Sequence, residues 1–242
     1  PMYFALPQTE LHIYDSAPDN YVWNFESTLS PAVTSVTAGF VRSFCSPNVG
    51  NILVAGNLTK TYSTGTTVNA ATSVRWSQAF STTGIPTTWN PTIYNIANEL
   101  EIPVRGPIVD GFVLGSNFYI CSYWDTVLMA PIAYQNNTAP IFGFSPFTKS
   151  RGLLTQNCVV VADNVAYGID SRGVWSFDGS SFTPLDNQKT KNYFFANLNA
   201  AYSNRIFMVN NTRKFQIELY YPDNSSTGWC NKMLSYRYDL QV

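Results

Sequence analysis

The fold is indicated most clearly by residues 165–179, which run V-A-Y-G-I-D-S-R-G-V-W-S-F-D-G. Two short stretches within this segment alternate in polarity and flank a turn at residues 170–173. A second turn, Asp178-Gly179, leads into residues 181–185, which are again strand-like. Alternation with a period of two predicts β-strands, and Asp, Ser and Gly between them predict tight turns. The segment therefore predicts an antiparallel hairpin followed by a third strand.

Most of the chain shows the same pattern. Short runs rich in Val, Ile, Phe and Tyr occur at residues 51–56, 111–123, 158–168 and 205–209, with Gly, Asn, Asp, Ser or Pro around each. Such runs are typical of strands. A capped helical periodicity is not sustained over ten residues, and we expect residues 187–198 to hold no more than one helical turn. The predicted fold class is all-β.

A repeating order of turns and strands recurs along the chain. Turns ending in Asn51, Asn117, Asn164 and Asn204 each lead into an apolar strand, at intervals of 66, 47 and 40 residues. A four-stranded propeller blade takes about 40–50 residues, and the longer first interval is explained by a polar insertion at residues 59–73. A β-sandwich usually shows turns without this recurrence. We therefore predict a β-propeller-like fold with degenerate four-stranded blades.

Two regions are predicted from this pattern. Residues 1–40 form N-terminal strands or a linker that contributes part of a blade, and residues 41–242 form propeller-like blades with the polar insertion near 59–73. The sequence begins Pro1-Met2 rather than with an initiator methionine. We therefore expect this sequence to be an incomplete part of a larger chain.

Charged residues are scarce. They make up 12% of the 242 residues, about half of the roughly 25% found in typical globular domains. The net charge is -1, and 45% of the residues are hydrophobic. This balance argues against tight binding of nucleic acid or an anionic membrane by charge. The longest apolar runs are also far shorter than the roughly 20 residues of a membrane-spanning helix, so no membrane segment is predicted.

Few residues are suited to nucleophilic or metal chemistry. His12 is the single histidine, and no GxSxG motif or neighbouring cysteine accompanies it, so a Ser-His-Asp or Cys-His system is not predicted. Cys45, Cys121, Cys158 and Cys230 form no CxxC pair of the kind that binds zinc. We predict no catalytic residue, no metal site and no cofactor. We expect Cys121 and Cys158 to be buried in strands.

Glu99 and Glu101 are the best acid–base candidates. They alternate along a predicted strand and would therefore lie on the same side of it. A glycoside hydrolase needs two carboxylates, and Asp110 is a third candidate. A solvated strand face explains the two glutamates more simply, so a glycoside hydrolase is the weakest alternative function.

Tryptophans occur about once in each repeating unit, at Trp76, Trp89, Trp124 and Trp175. An exposed indole ring can stack on a sugar, whereas a buried one packs between sheets. Packing is the more common use. A carbohydrate- or receptor-binding β-propeller that uses Trp89 or Trp124 is the other alternative function.

Several segments resemble, in collinear order, segments of one protein family. Residues 73–77 and 86–89 resemble its V-R-W-S … P-x-x-W strand. Residues 110–120 and 122–129 resemble its I-x-G-L-x-x-x-x-x-L-x-I-F strand pair and the T-x-x-x-V-Y-x-M strand after it. The later matches are residues 159–185 to a segment ending V-Y-x-F-D-G-x-x-x-x-x-L, residues 205–222 to D-R-V-x … E-I-W-F-x-Y-P-S, and residues 235–239 to V-Y-N-Y.

These matches extend from Phe40 to Val242. They resemble the tail nozzle or tail-tube hub proteins of short-tailed phages (podoviruses), which are related to packaged-DNA stabilisation proteins. The resemblance implies a structural role for the motif residues Arg75, Trp76, Trp89, Trp175, Asp178, Gly179, Tyr221 and Pro222.

The resemblance implies a non-enzymatic virion protein. In that family a β-propeller domain forms part of a ring, commonly a hexamer, below the portal and its adaptor. The ring carries the DNA channel, retains packaged DNA and opens on infection. For this chain the resemblance implies three kinds of partner: further copies of itself, tail adaptor, fibre or needle proteins, and double-stranded DNA that passes without sequence-specific binding. It also implies a location in the virion tail after synthesis in the host bacterial cytoplasm.

Overall fold

The computed structural model describes residues 2–5, 11–14, 33–47, 49–80, 86, 89, 91, 95–132 and 141–240. These residues are mostly β-strand, with little helix. The strands of the first half are β1 (Met2–Ala5), β2 (Leu11–Tyr14), β3 (Val33–Ser46), β4 (Gly50–Tyr62), β5 (Thr67–Trp76), β6 (Asn98–Glu101), β7 (Ile108–Leu114), β8 (Asn117–Ser122) and β9 (Thr126–Pro131). The remaining elements are β10 (Phe142–Thr148), β11 (Val159–Ala162), β12 (Val165–Asp170), β13 (Gly173–Phe177), β14 (Phe182–Pro184), helix α1 (Gln188–Asn197), a 3-10 helix (Ala200–Arg205), β15 (Phe207–Asn211), β16 (Gln216–Tyr221) and β17 (Lys232–Arg237).

Each strand pairs with its neighbours in sequence, which produces a series of antiparallel sheets. Sheet 1 contains β3 to β6, sheet 2 contains β7 to β10, sheet 3 contains β11 to β14, and sheet 4 contains β15 to β17. Strands β1 and β2 form a separate hairpin. The prediction of an all-β fold class is confirmed in that the described residues form antiparallel sheets with little helix.

Apolar side chains fill the spaces between consecutive sheets. Between sheets 1 and 2, the Trp76 ring lies 5.5 Å from Phe142 in an edge-on contact. Between sheets 2 and 3, the rings of Tyr119 and Phe177 are 4.9 Å apart. The first strands of successive sheets also lie next to one another, with β7 beside β3, β11 beside β7 and β15 beside β11. Across the described residues these four sheets do not close into a ring.

The hairpin predicted at residues 165–179 is confirmed. Strands β12 and β13 pair with Ile169 opposite Val174 and Asp170 opposite Gly173. Gly173 has a φ of +122°, a conformation that glycine adopts without a Cβ penalty. Gly168 provides the space for a large neighbour, because a Cβ at this position would lie 2.3 Å from the Trp175 ring.

Three of the four repeat markers occupy equivalent positions. Asn51, Asn117 and Asn164 each lie within one residue of the start of the second strand of a sheet. Asn204 does not, because it lies in the 3-10 helix ahead of β15, the first strand of sheet 4. The equivalent turn in sheet 4 is at residues 212–215. The fourth marker was therefore wrong by one strand, because Asn204 precedes the first strand of its sheet rather than the second.

Helix α1 corrects the expectation of a single helical turn at residues 187–198. It contains ten residues. Its cap residue Asn187 accepts a hydrogen bond from the backbone N–H of Thr190, and Phe194 packs 4.8 Å from the Tyr221 ring. A cap and tertiary packing override the weak helix propensity of Asn, Thr and aromatic residues. None of the helices in the described part of the chain is long and apolar enough to cross a membrane.

Candidate functional site

A cluster around Asp110 joins the first strands of the sheets. Asp110 on β7 is fully buried, and its Oδ2 accepts hydrogen bonds from Arg42 Nη2 on β3 at 2.6 Å and from Asn157 N at 2.9 Å. Its Oδ1 accepts from Gly111 N at 2.8 Å. The carbonyl of Asn157 in turn accepts from the backbone N–H of Met208 on β15. This Asp110 cluster links sheets 1, 2 and 4 through the segment that leads into sheet 3.

An arginine–aspartate pair recurs in sheets 2 and 3. Arg105 lies just ahead of β7 and binds Asp125 at the turn between β8 and β9, with Nη2 to Oδ1 at 2.7 Å. Arg151 lies ahead of β11 and binds Asp170 at the end of β12 at 3.0 Å. Both aspartates are buried. In each sheet the pair therefore fixes the incoming linker to the turn between the second and third strands.

Burial affects the titration of Asp170, the carboxylate of the second pair. The pKa of Asp170 is raised because burial disfavours the charged carboxylate, and the Arg172 N–H and Arg151 oppose that shift. Neither pair was predicted from the sequence. The similar interval from Arg to Asp, which is 20 residues in sheet 2 and 19 in sheet 3, was the pattern that could have indicated them.

The predicted carboxylates Glu99 and Glu101 lie on β6 at the edge of sheet 1. Glu99 forms ion pairs through one oxygen with Lys60 and through the other with Arg75 Nη1, the latter at 3.1 Å. The guanidinium of Arg75 also donates to the carbonyl of Trp89, at 3.1 and 2.9 Å. Glu101 is exposed and accepts a hydrogen bond from a threonine hydroxyl. Both oxygens of Glu99, like those of Asp110, are thus engaged by other groups of the chain.

Tryptophans serve two purposes. Trp76 and Trp175 are fully buried on the third strands of sheets 1 and 3, as the packing interpretation predicts. Trp89 is only 1% exposed, so the expectation that it presents an exposed stacking surface is wrong. Its burial follows from the apolar face of sheet 1 that it covers. Trp124 is 48% exposed, and Trp229, which was not among the tryptophans selected from the sequence, is 76% exposed.

Asp178 and Gly179 form the turn between β13 and β14. The backbone N–H of Ser181 and both the N–H and hydroxyl of Ser180 donate to Asp178, and they lower its pKa to about 2. Gly179 has a φ of +96°. The Asp-Gly motif is therefore a structural turn, as predicted from its residues.

Tyr221 is the last residue of β16, and Pro222 follows it. Tyr221 is buried against Phe194 of α1, and the carbonyl of Pro222 accepts from Asn199 N at 3.0 Å. These contacts attach the helical segment to sheet 4. They lie far along the chain from Arg75 and Trp76, and the structure does not bring the predicted motif residues together into one site.

A cavity of about 320 Å³ lies between sheets 3 and 4. Apolar side chains from both sheets line most of it, including Val174, Leu219 and Leu234, and the start of α1 provides polar groups at Asn187 and Thr190. Sheet 3 has four strands here and sheet 4 has three.

Cys121 and Cys158 are fully buried, as predicted. Burial raises the pKa of Cys121 to about 12 and raises that of Cys158 as well, so neither is a reactive thiolate near neutral pH. His12 lies on β2, where its side chain is outside the described residues. In the part of the chain that the structure describes, no group of three or more His, Cys, Asp or Glu side chains could hold a metal ion.

Comparisons with known proteins do not assign a family. No protein-family model matches the chain, and no curated protein is significantly similar to it.

Proposed function

We propose that this protein is a structural, non-catalytic subunit of the tail conduit of a short-tailed phage. Its sheets would be blades of a β-propeller-like domain. Copies of the subunit would form a ring through which packaged DNA passes, and in the family that the sequence resembles this ring is commonly a hexamer. Its neighbours would be the tail adaptor and the fibre or needle proteins. Its location would be the virion tail.

One observation carries this proposal: the motif residues pack and form hydrogen bonds that hold the sheets in place. Trp76 and Trp175 are equivalent, because each lies on the third strand of its sheet and donates its indole N–H to a backbone carbonyl, that of Ile96 at 2.6 Å or Gly152 at 3.3 Å. Tyr221 holds α1 on sheet 4. The residues that carry the resemblance therefore hold sheets and helix together by packing and hydrogen bonding. This use of the motif residues supports an architectural role.

The charge distribution supports passage of DNA without tight binding. Among the described residues, seven of the chain's 14 Lys and Arg side chains form ion pairs with carboxylates: Arg42, Lys60, Arg75, Arg105, Arg151, Lys232 and Arg237. A cation that is paired with a carboxylate of the same chain is less available to neutralise a DNA phosphate. Because affinity for DNA grows with the number of phosphates neutralised, such a surface suits a channel through which DNA slides.

Assembly of the purified chain tests the proposal. We expect mass photometry to show a discrete species several times heavier than the 27.0 kDa chain, and negative-stain micrographs to show rings with a central opening. A protein that remains monomeric or dimeric at high concentration, with no rings in micrographs, would contradict the proposal.

A carbohydrate-binding function is a second candidate because Trp124 is exposed. Its ring is 5.0 Å from Tyr123 in an edge-on contact, and Gly106 leaves room for it, since a Cβ there would lie 2.9 Å from the indole. An exposed indole whose position is fixed by its neighbours can stack on a sugar ring. Glycan-array binding that is lost in Trp124→Ala and kept in Trp229→Ala would support this function, and absence of any glycan binding by the unaltered protein would contradict it.

A further inference from the structure

Sheet 4 has one strand fewer than the three sheets before it. Sheets 1, 2 and 3 each end in a fourth strand, which is β6, β10 or β14, whereas sheet 4 ends at its third strand, β17. In the described part of the chain, β17 therefore has a neighbouring strand, β16, on one side only. We call its other side the free edge of β17.

The free edge presents backbone groups that have no partner strand. Tyr238 N donates to Phe215 O at 3.1 Å. Because partners alternate along an antiparallel ladder, every second residue of β17 directs its N–H and C=O away from β16. These residues are Met233, Ser235 and Arg237. Within the described ranges, their backbone groups form no hydrogen bond to any segment outside sheet 4, so they are available to a further strand.

The outer strands of the other sheets carry features that discourage pairing, whereas β17 does not. Strand β6 has four residues, two of which are glutamates. Strand β10 contains Pro146 and an irregular register, and β14 has three residues and ends at Pro184. Charge, proline, irregularity and short length all keep an edge strand from pairing. Strand β17 has six residues in regular register with β16, contains no proline and has its charged residues only at its two ends. It is therefore suited to pairing on both sides.

A cavity lies on the side of β17 that faces sheet 3. This is the cavity of about 320 Å³ described above, and its apolar lining comes from β13 of sheet 3 and from all three strands of sheet 4. The fourth strands of earlier sheets place phenylalanines toward the preceding sheet, with Phe142 of β10 5.5 Å from Trp76 and Phe182 of β14 6.2 Å from Phe147. Ser235 on the free edge also lines the cavity. A fourth strand of sheet 4 would therefore have apolar space for its side chains.

Asp186 provides a carboxylate at the same cavity. It lies against the backbone of Gly173, where a Cβ would be 2.0 Å from its Oδ2, and that oxygen accepts a hydrogen bond from Val174 N at 3.1 Å. Among the described residues, no lysine or arginine forms an ion pair with it. Because a charge beside an apolar wall is only partly solvated, a basic group that enters this cavity is attracted to Asp186.

We propose that the free edge of β17 binds an extended segment of a partner protein as an antiparallel fourth strand of sheet 4. The segment directs a large apolar side chain into the cavity and, two residues away on the same face, a lysine or arginine toward Asp186. The backbone pairing provides affinity, and the cavity and Asp186 select the side chains. This inference goes beyond the tail function and does not depend on it.

A second copy of this chain is less suited to the free edge than a different protein. The outer strands of sheets 1 to 3 carry the glutamates, prolines and irregular register described above. Strand β17 of a second copy has Lys232 two residues from Leu234, but this lysine forms an ion pair with Asp223 at 3.7 Å. We therefore assign the free edge to a strand from another protein.

The length of the edge sets the expected strength of the complex. Six residues of a strand span roughly 20 Å, and their contact is far smaller than the roughly 800 Å² per partner of a stable protein complex. For an isolated peptide we therefore expect a dissociation constant of about 10–100 μM.

Fluorescence anisotropy with labelled seven-residue peptides tests the proposal. The panel is based on T-V-T-F-T-K-T, with the phenylalanine–lysine pair moved along a threonine background to cover each register. For the peptide that binds most tightly, exchange of its lysine for glutamate should weaken binding about tenfold or more, because it places two carboxylates together. Asp186→Asn should remove this preference for lysine, whereas Asp163→Asn, the same change at an exposed carboxylate, should keep it.

Two changes to the backbone test whether the peptide binds as a strand. Ser235→Pro removes an N–H that points away from β16, so it should weaken binding about tenfold or more without breaking the existing ladder. Urea unfolding of this variant confirms that it folds. A peptide with the same side chains and N-methyl groups on alternate residues should not bind in the register that loses its donors.

Three results overturn the proposal. The first is that no peptide of the panel binds at concentrations up to about 1 mM. The second is that binding is unaffected by Ser235→Pro and by N-methylation, which would show that the peptide does not extend sheet 4. The third is concentration-dependent dimerisation of the unaltered chain that Ser235→Pro abolishes, which would assign the free edge to a second copy. Rings formed by the Ser235→Pro variant would leave the tail function intact whichever result is obtained.

Discussion

Replacement of Asp110 by Asn should destabilise the protein strongly. The carboxylate is fully buried and accepts hydrogen bonds from Arg42, Gly111 and Asn157. The asparagine amide has the same shape but no charge. Its NH₂ group is a donor and would face the N–H groups that now donate to Asp110. Removing one partner of a buried ion pair costs about 3–5 kcal/mol, and since the Arg42 side chain keeps 31% of its surface exposed, we expect a value near the lower end, about 3 kcal/mol.

Urea unfolding followed by tryptophan fluorescence measures this cost. At this chain length a loss of about 3 kcal/mol corresponds to a melting temperature about 6–12 °C lower. Glu101→Gln is the matched control, because it makes the same chemical change at an exposed carboxylate, and it should change stability by less than about 0.5 kcal/mol. If Asp110→Asn is as mild as this control, the Asp110 cluster does not join the sheets as we describe.

Three further predictions follow from individual contacts. Gly168→Ala should cost about 1–3 kcal/mol in urea unfolding, because its Cβ would lie 2.3 Å from the indole of β13; unchanged stability would contradict that packing. Asp178 has a folded pKa of about 2, below the unfolded value of about 4, so its contribution is present above pH about 4 and lost as the pH falls to about 2. Asp178→Asn should therefore flatten the fall in melting temperature across this range, and equal slopes for both proteins would refute the assignment. In native protein at pH 8, a thiol reagent should label exposed Cys45 but not Cys121 or Cys158 until urea is added; rapid labelling of all four thiols would show that the two cysteines are not buried.

The strand pattern at residues 165–179 was predictable from sequence, because alternating residue types and the turn residues between them indicated β12, β13 and their connection. Burial alternates along β13, whereas five of the six residues of β12 are buried. Helix α1 was not predictable from its composition. It depends on the Asn187 cap and on the burial of Phe194 against Tyr221, and the second of these is a contact between residues distant in sequence.

Side-chain environments were less predictable than strands. Trp89 and Trp124 both follow polar or aromatic neighbours in the sequence, yet one is buried and the other is half-exposed. The difference depends on whether another segment covers the ring, which local pattern does not encode. The pairing of Arg42 with Asp110, which are 68 residues apart, likewise follows from the packing of β3 beside β7.

The salt dependence of DNA binding by the purified protein tests most directly our central proposal, that this protein forms a conduit through which DNA passes without being bound tightly. With two or fewer phosphate contacts per DNA, affinity for a short duplex should be weak, with a dissociation constant above about 10 μM at 50 mM salt, and should fall by about tenfold or less between 50 and 200 mM. Submicromolar binding that falls about a thousandfold or more over the same range would reveal six or more phosphate contacts and contradict the claim.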